Sequence, residues 1–199
     1  QLAGLPIVLG VIETITFNDG DIDGITTGSG RDIVLGGHEA DGIDVGQGNN
    51  IVLGDHGRIV YDIDADVSDI DLIESTSTTA EGGADGITSG DGQDIIIGGR
   101  LGDTINAGSG DNLVIGDSGR ITAAATGAAQ LAGLPIVLGV VETTEYADGG
   151  SDVITTGDDN DTVLGGAAGD EIRSGADSDI VHGDNAVLSY VLDASANSA

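Results

Sequence analysis

A column of acidic residues recurs every nine positions beside a column of β-branched residues, and few folds satisfy both columns at once. The chain can be written as twelve rows of nine. These are NDGDIDGIT, TGSGRDIVL, GGHEADGID and VGQGNNIVL from Asn18; AEGGADGIT, SGDGQDIII, GGRLGDTIN and AGSGDNLVI from Ala80; and ADGGSDVIT, TGDDNDTVL, GGAAGDEIR and SGADSDIVH from Ala147. The sixth position is Asp in ten rows (Asp23, Asp32, Asp41, Asp85, Asp94, Asp103, Asp152, Asp161, Asp170, Asp179) and Asn in two (Asn50, Asn112). The eighth is Ile or Val in all twelve, from Ile25 and Val34 to Ile172 and Val181.

A period of nine matches neither a helical face nor a long strand. It suits a short strand followed by a glycine-rich turn: the β-branched residue favours the strand and points inward, and the glycines take up unusual backbone angles. The expected fold is all-β, a parallel β-roll or β-solenoid of nine-residue rows with two rows per coil. Three modules are expected at 18–60, 80–121 and 147–190, separated by an apolar connector (1–17), an acidic one (61–79) and a small-residue, apolar one (122–146), with a further connector starting at 191–199. The connectors contain strand-like runs and are expected to form longer coils or hairpins that continue the stack.

A coarser repeat overlies the rows. QLAGLPIVLGVIET at 1–14 returns as QLAGLPIVLGVVET at 130–143, an offset of 129 residues. The chain therefore reads as a slice of a longer array. Neither end shows an evident cap, so either the chain continues or copies of it join end to end, since a solenoid end is an open row of backbone donors and acceptors.

Composition narrows the chemistry. The chain has 35 acidic residues, 28 of them Asp, against five arginines, and a formal net charge of -30. Such a surface repels nucleic acid and anionic membranes and attracts cations. No run approaches the ~18 apolar residues of a membrane span, so membrane insertion is not expected. The preference for Asp over Glu points to metal-binding turns, because the short side chain brings its oxygens close to backbone carbonyls. There is no cysteine, hence no disulfide or thiolate site. With three Tyr, one Phe and no Trp, a conventional packed core is not expected, and one inward residue per row is a small core for the ordering it must offset.

The rows resemble the RTX, or hemolysin-type, calcium-binding nonapeptide repeats, Gly-Gly-x-Gly-x-Asp-x-U-x. The resemblance implies a parallel β-roll stabilised by multiple Ca2+ ions seated between neighbouring turns. It pairs sixth-position residues one coil apart: Asp23 with Asp41, Asp32 with Asn50, Asp85 with Asp103, Asp94 with Asn112, Asp152 with Asp170, and Asp161 with Asp179. Unbridged carboxylates on strands about 4.8 Å apart repel by about 1 kcal/mol in water and more in a drier setting, and a divalent cation reverses that sign. Asp55, Asp117 and Asp184, early in a variant fifth row after each module, are expected to cap the last ion, and Asp19 and Asp21 to add ligands in the first row. The fourth-position glycine is replaced by Asp21, Glu39, Leu101, Asp159, Ala168 and Asp177, where distorted turns or weaker binding are expected.

Other motifs fall away. DGDIDG at 19–24 begins like an EF-hand loop, but Gly30 stands where a bidentate Glu is needed. GDSG at 116–119 has no positioned His and Asp partners that would make Ser118 a nucleophile. His38, His56 and His182 are expected on the surface without forming a cluster, and Arg58 and Arg120 are expected to neutralise neighbouring acids. The expected function is structural and not enzymatic: a calcium-binding segment of a repetitive extracellular or bacterial cell-surface protein, such as an adhesin or filament. The alternative is an RTX secretion and folding module of a secreted toxin or hydrolase.

Overall fold

Each nine-residue row folds as one short strand and one turn, and successive rows fall alternately into two parallel sheets. The computed structural model describes residues 8–64, 66–77, 81–125, 131 and 133–191. The apolar start of the chain and most of the expected connector at 191–199 lie outside the described residues.

Odd rows supply β2 (Gly24–Ser29), β4 (Gly42–Gln47), β8 (Gly86–Ser89), β10 (Thr104–Asn106), β14 (Val153–Thr155) and β16 (Glu171–Arg173). Even rows supply β3 (Ile33–Gly37), β5 (Ile51–Asp55), β9 (Ile95–Gly99), β11 (Leu113–Asp117), β15 (Thr162–Leu164) and β17 (Ile180–His182). The connectors contribute β1 (Val11–Glu13), β6 (Gly57–Val60), β7 (Leu72–Ser75), β12 (Gly119–Ala123), β13 (Leu138–Thr143) and β18 (Val187–Ser189). Each set forms one six-stranded sheet. The described chain is thus all-β, with two parallel sheets as a roll of two rows per coil requires.

Register follows the eighth-position column. Ile25, Ile43, Ile87, Ile105, Ile154 and Ile172 are successive partners in the odd-row sheet. Val34, Val52, Ile96, Val114, Val163 and Val181 are partners in the even-row sheet. Side chains of the two columns meet between the sheets and, with Val45 and Ala107, form the inner core. Val181, in the last described even row, is the exception at 43% exposed.

The connectors do not lengthen the coils. The parallel stack passes straight across them, β4 onto β8 and β5 onto β9, then β10 onto β14 and β11 onto β15. The connector strands pair antiparallel in the order β1-β6-β7-β12-β13-β18, a separate third sheet. It lies against the outer side of the even-row sheet. Ile51, Leu53, Ile95, Ile97, Leu113 and Ile115 there pack against Ile59, Ile73, Ile121 and Val141 of the antiparallel strands, with Leu131, Leu134 and Ile136.

The expectation of no conventional core is therefore corrected. In the first two modules even rows read IVL, IVL, III and LVI, apolar on both faces, whereas odd rows read GIT, GID, GIT and TIN, apolar only in the middle; the third module, with TVL and IVH against VIT and EIR, weakens the contrast. A strand that is apolar on both faces must be covered on both. Burying Ile95 and Ile97 as completely as Ile96 makes the even-row sheet the central layer.

The turns that lost the fourth-position glycine take a different backbone conformation from those that kept it, in which Gly30, Gly48, Gly92 and Gly110 have φ between 116° and 157°. Glu39, Leu101, Asp159, Ala168 and Asp177 all have φ between 66° and 85°. Left-handed backbone costs a non-glycine residue roughly 1–2 kcal/mol, so the stacked turns impose a geometry these residues would not choose. On the antiparallel sheet, Glu13, Arg58, Glu74, Arg120 and Glu142 stand in register across five strands. Arg58 Nε lies 2.6 Å from Glu74 Oε1 and Arg120 Nη2 2.5 Å from Glu142 Oε1. The two arginines are neutralised by neighbouring acids.

Candidate metal centre

The sixth-position residue closes each turn just before the strand, where a short side chain can reach the backbone of the adjacent coil. Ten of the twelve do so, in two continuous ladders begun by Asp23 and Asp32, each Oδ1 accepting the N–H of the sixth-position residue one coil earlier. On the odd-row edge the bonds run Asp23 N to Asp41 (2.8 Å), Asp41 N to Asp85 (2.7 Å), Asp85 N to Asp103 (2.8 Å), Asp103 N to Asp152 (2.8 Å) and Asp152 N to Asp170 (3.0 Å). On the even-row edge they run Asp32 N to Asn50 (3.0 Å), Asn50 N to Asp94 (2.6 Å), Asp94 N to Asn112 (3.0 Å), Asn112 N to Asp161 (2.8 Å) and Asp161 N to Asp179 (3.0 Å). The six pairs expected at a spacing of eighteen residues are neighbours. Sequence spacing missed four more that bridge connectors at 44 or 49 residues: Asp41–Asp85, Asn50–Asp94, Asp103–Asp152 and Asn112–Asp161.

The ladders differ at the second oxygen. On the odd-row edge, Oδ2 of Asp41, Asp85, Asp103, Asp152 and Asp170 is buried without a hydrogen-bond partner. Each faces a glycine, Gly54 for Asp85 and Gly98 for Asp103, with Gly36, Gly116 and Gly165 facing Asp41, Asp152 and Asp170. A Cβ at any of these glycines would overlap both that oxygen and the carbonyl oxygen of a glycine one coil on. A carboxylate oxygen and a carbonyl oxygen therefore border the same glycine-walled space, repeated up the edge.

Burial pushes Asp85 and Asp152 up to about 7 and Asp103 up to about 10, the last also through the charges of Asp85, Asp152 and Asp55. Asp41 and Asp170 are raised by the same burial. A carboxylate held this way needs either a proton or a cation.

The even-row edge is closed by its own atoms. Asn50 Nδ2 donates to Gly48 O and Asn112 Nδ2 to Gly110 O, both at 2.8 Å, and Ser89 Oγ donates to Asp94 Oδ2 at 2.5 Å. The turns bond directly to one another, Gly30 N–H to Gln47 O and Gly48 N–H to Asp91 O at 2.9 Å, and Gly92 N–H to Ser109 O at 2.8 Å. Among the described residues of this edge, Asp161 alone keeps a buried, unpartnered Oδ2, and burial pushes it up to about 6.

Asp55 and Asp117 are engaged by backbone donors of the following module. Asp55 Oδ1 accepts from Gly83 N–H at 2.8 Å and Oδ2 from Arg100 N–H at 2.5 Å. Asp117 accepts from Gly150 N–H at 2.8 Å and from Ala167 N–H. Each clamps two successive turns across a connector, and burial raises them to about 8 and about 6 respectively. Asp184 is exposed, and its charge bears on Asp170. Asp19 and Asp21 are exposed, and Asp21 Oδ1 accepts its neighbour's N–H, from Ile22 at 3.0 Å.

Among the described residues no three His, Asp or Glu side chains converge as a metal site built from side chains alone would need. The donors on the odd-row edge are adjacent ladder carboxylates plus backbone carbonyls. All are hard oxygens, the class from which calcium takes six to eight ligands, so these residues fit such an ion. An open cleft of about 400 Å³ lies over the antiparallel sheet, lined in part by Arg58, Asp69, Glu74 and Arg120. Its arginines are already paired.

His182 is exposed as expected, but His38 and His56 depart from the surface placement expected for them. His56 is 3% exposed and meets Phe17 edge-on at 4.9 Å, and His38 lies 6.4 Å from it, ring to ring. The two are eighteen residues apart and share the third position of adjacent turns. Counting the variant fifth row in register would have found them. Comparison of the chain with protein-family models, curated proteins and solved structures finds no match.

Proposed function

We propose that this chain is a calcium-binding structural segment of a repetitive extracellular protein of the bacterial surface, an adhesin or filament, whose ions line one turn edge of the solenoid. The observation that carries the reading is the row of five buried, unpartnered carboxylate oxygens at Asp41, Asp85, Asp103, Asp152 and Asp170, each against a glycine and a carbonyl. A bound divalent ion supplies there the positive charge that buried like charges require. The ladder bonds aim Oδ2 by spending Oδ1 on the neighbouring backbone. The glycines keep the space open, and Asn50, Asn112 and Ser89 hold the opposite edge without an ion.

A thin stack of this kind serves as a stiff spacer. Extracellular modules bind calcium at ~10⁻⁴–10⁻³ M, so the folded state is matched to the outside of the cell. The net charge of -30 keeps such a rod soluble and away from nucleic acid. Calorimetric titration of the chelator-stripped chain with CaCl2, followed by circular dichroism, tests the reading. As many as five ions and a rise in β-signal are expected; full β-signal in chelator with no heat on adding calcium overturns it.

A further inference from the structure

We infer that His38 and His56 form a second metal site, one for a divalent first-row transition ion such as zinc, separate in chemistry from the carboxylate edge. His56 Nε2 lies 3.2 Å from Phe17 O. An N–H donated to that carbonyl places the lone pair on Nδ1, the arrangement by which a backbone acceptor orients a metal-binding imidazole. His56 Nδ1 is buried and has no hydrogen-bond partner.

His38 Nδ1 is likewise buried without a hydrogen bond, with Glu39 Oε1 3.6 Å away. Two buried imidazoles each leave a nitrogen unanswered, on rings whose centroids are 6.4 Å apart. Two rings sharing one tetrahedral ion, each nitrogen roughly 2.1 Å from it, have centroids about 1 Å closer than this, so binding draws the two rings together.

The repeat carries an independent observation. One period on, 129 residues away, His38 becomes Ala167 and His56 becomes Asn185, and in the middle module the same positions are Arg100 and Ser118. The two histidines occur together and are absent together, although the rows around them keep their pattern. Neutral imidazole nitrogen selects zinc, copper or nickel over calcium, which takes oxygen. Asp41 and Glu81 place negative charge near His56, favouring a cation. Among the described residues no third His, Asp or Glu joins them in a metal-binding group, so the remaining positions fall to water and the site is an open one. Such an ion would pin the Phe17 segment onto the first module.

The test is calorimetric titration of the folded chain with zinc chloride in saturating calcium, beside His38→Ala and His56→Asn, substitutions the repeat itself makes at equivalent positions. One zinc equivalent is expected, with at least a tenfold loss of affinity in either variant and a 15N shift at Nδ1 of both rings on binding. Calcium uptake and circular dichroism of the variants report whether they fold. Zinc binding that is absent from the parent chain, or unchanged in both folded variants, overturns the proposal.

Discussion

The two turn edges of the roll follow one sequence rule and reach opposite electrostatic outcomes. Both place a sixth-position carboxylate or amide where its Oδ1 accepts the N–H of the preceding coil, with nearly the same bond lengths. On the even-row edge Asn50 and Asn112 alternate with aspartates and bring their own donors, and the turns bond to one another. On the odd-row edge every member is Asp and five second oxygens are left buried and bare. A ladder position does not make an ion site; what its second oxygen meets does.

Removing cations is the strongest way to break the comparison. In excess chelator near neutral pH, hydrogen exchange should accelerate first and most in the odd-row strands and their turns. The even-row strands Ile95–Gly99 and Leu113–Asp117, held between two cores, should keep protection longest. Equal loss at both edges would show that the difference in satisfaction has no energetic weight.

Next in size is the core that separates the central sheet from the odd-row one. Ile97→Ala should cost about 2–5 kcal/mol in denaturant unfolding, as much as Ile96→Ala, because both side chains are fully buried, in different cores. A cost under 1 kcal/mol at Ile97 would mean the antiparallel sheet does not cover it in solution.

Exchanging the edges' chemistry should cost or gain less, on the order of 1–3 kcal/mol in chelator. Asp103→Asn keeps the Oδ1 acceptor, removes a carboxyl that must take up a proton to be buried near neutral pH, and should stabilise the ion-free chain while weakening calcium uptake. Asn112→Asp should destabilise it. The same sign for both would dissolve the contrast.

Acidity offers a graded version of the same test. Asp117, Asp85, Asp152, Asp55 and Asp103 have folded pKa values of about 6, 7, 7, 8 and 10, above their ordinary value of 3.8. Folding therefore favours their protonated forms: this contribution is complete below about pH 4 and is lost as pH rises through 6 to 10. Melting temperature in chelator should fall across that window, and calcium should flatten the slope. The smallest effect is expected on the antiparallel sheet, where Arg58→Ala, breaking a partly exposed pair, should shift stability by less than about 1 kcal/mol.

Much of this was legible in the residues. The eighth-position column marked the inner core, and the sixth-position column marked both ladders, including their order within each module. The third sheet was written there too, in the contrast between III or LVI and GIT or TIN, but reading it required knowing that alternate rows lie on different sheets. The His38–His56 contact was hidden because the fifth row was set outside the nine-residue register.

The sequence by itself determined the repeat, the strand-and-turn alternation and which side chain of each row points inward, because these depend on neighbours within a few residues. Only the tertiary structure decided that coils stack across 44- and 49-residue gaps, that connectors fold back as a covering sheet, and that one edge leaves five buried carboxylate oxygens bare where the other leaves that of Asp161. The physical reason is that a buried oxygen's cost is set by the atoms of adjacent coils, and no local pattern specifies which coil will be adjacent.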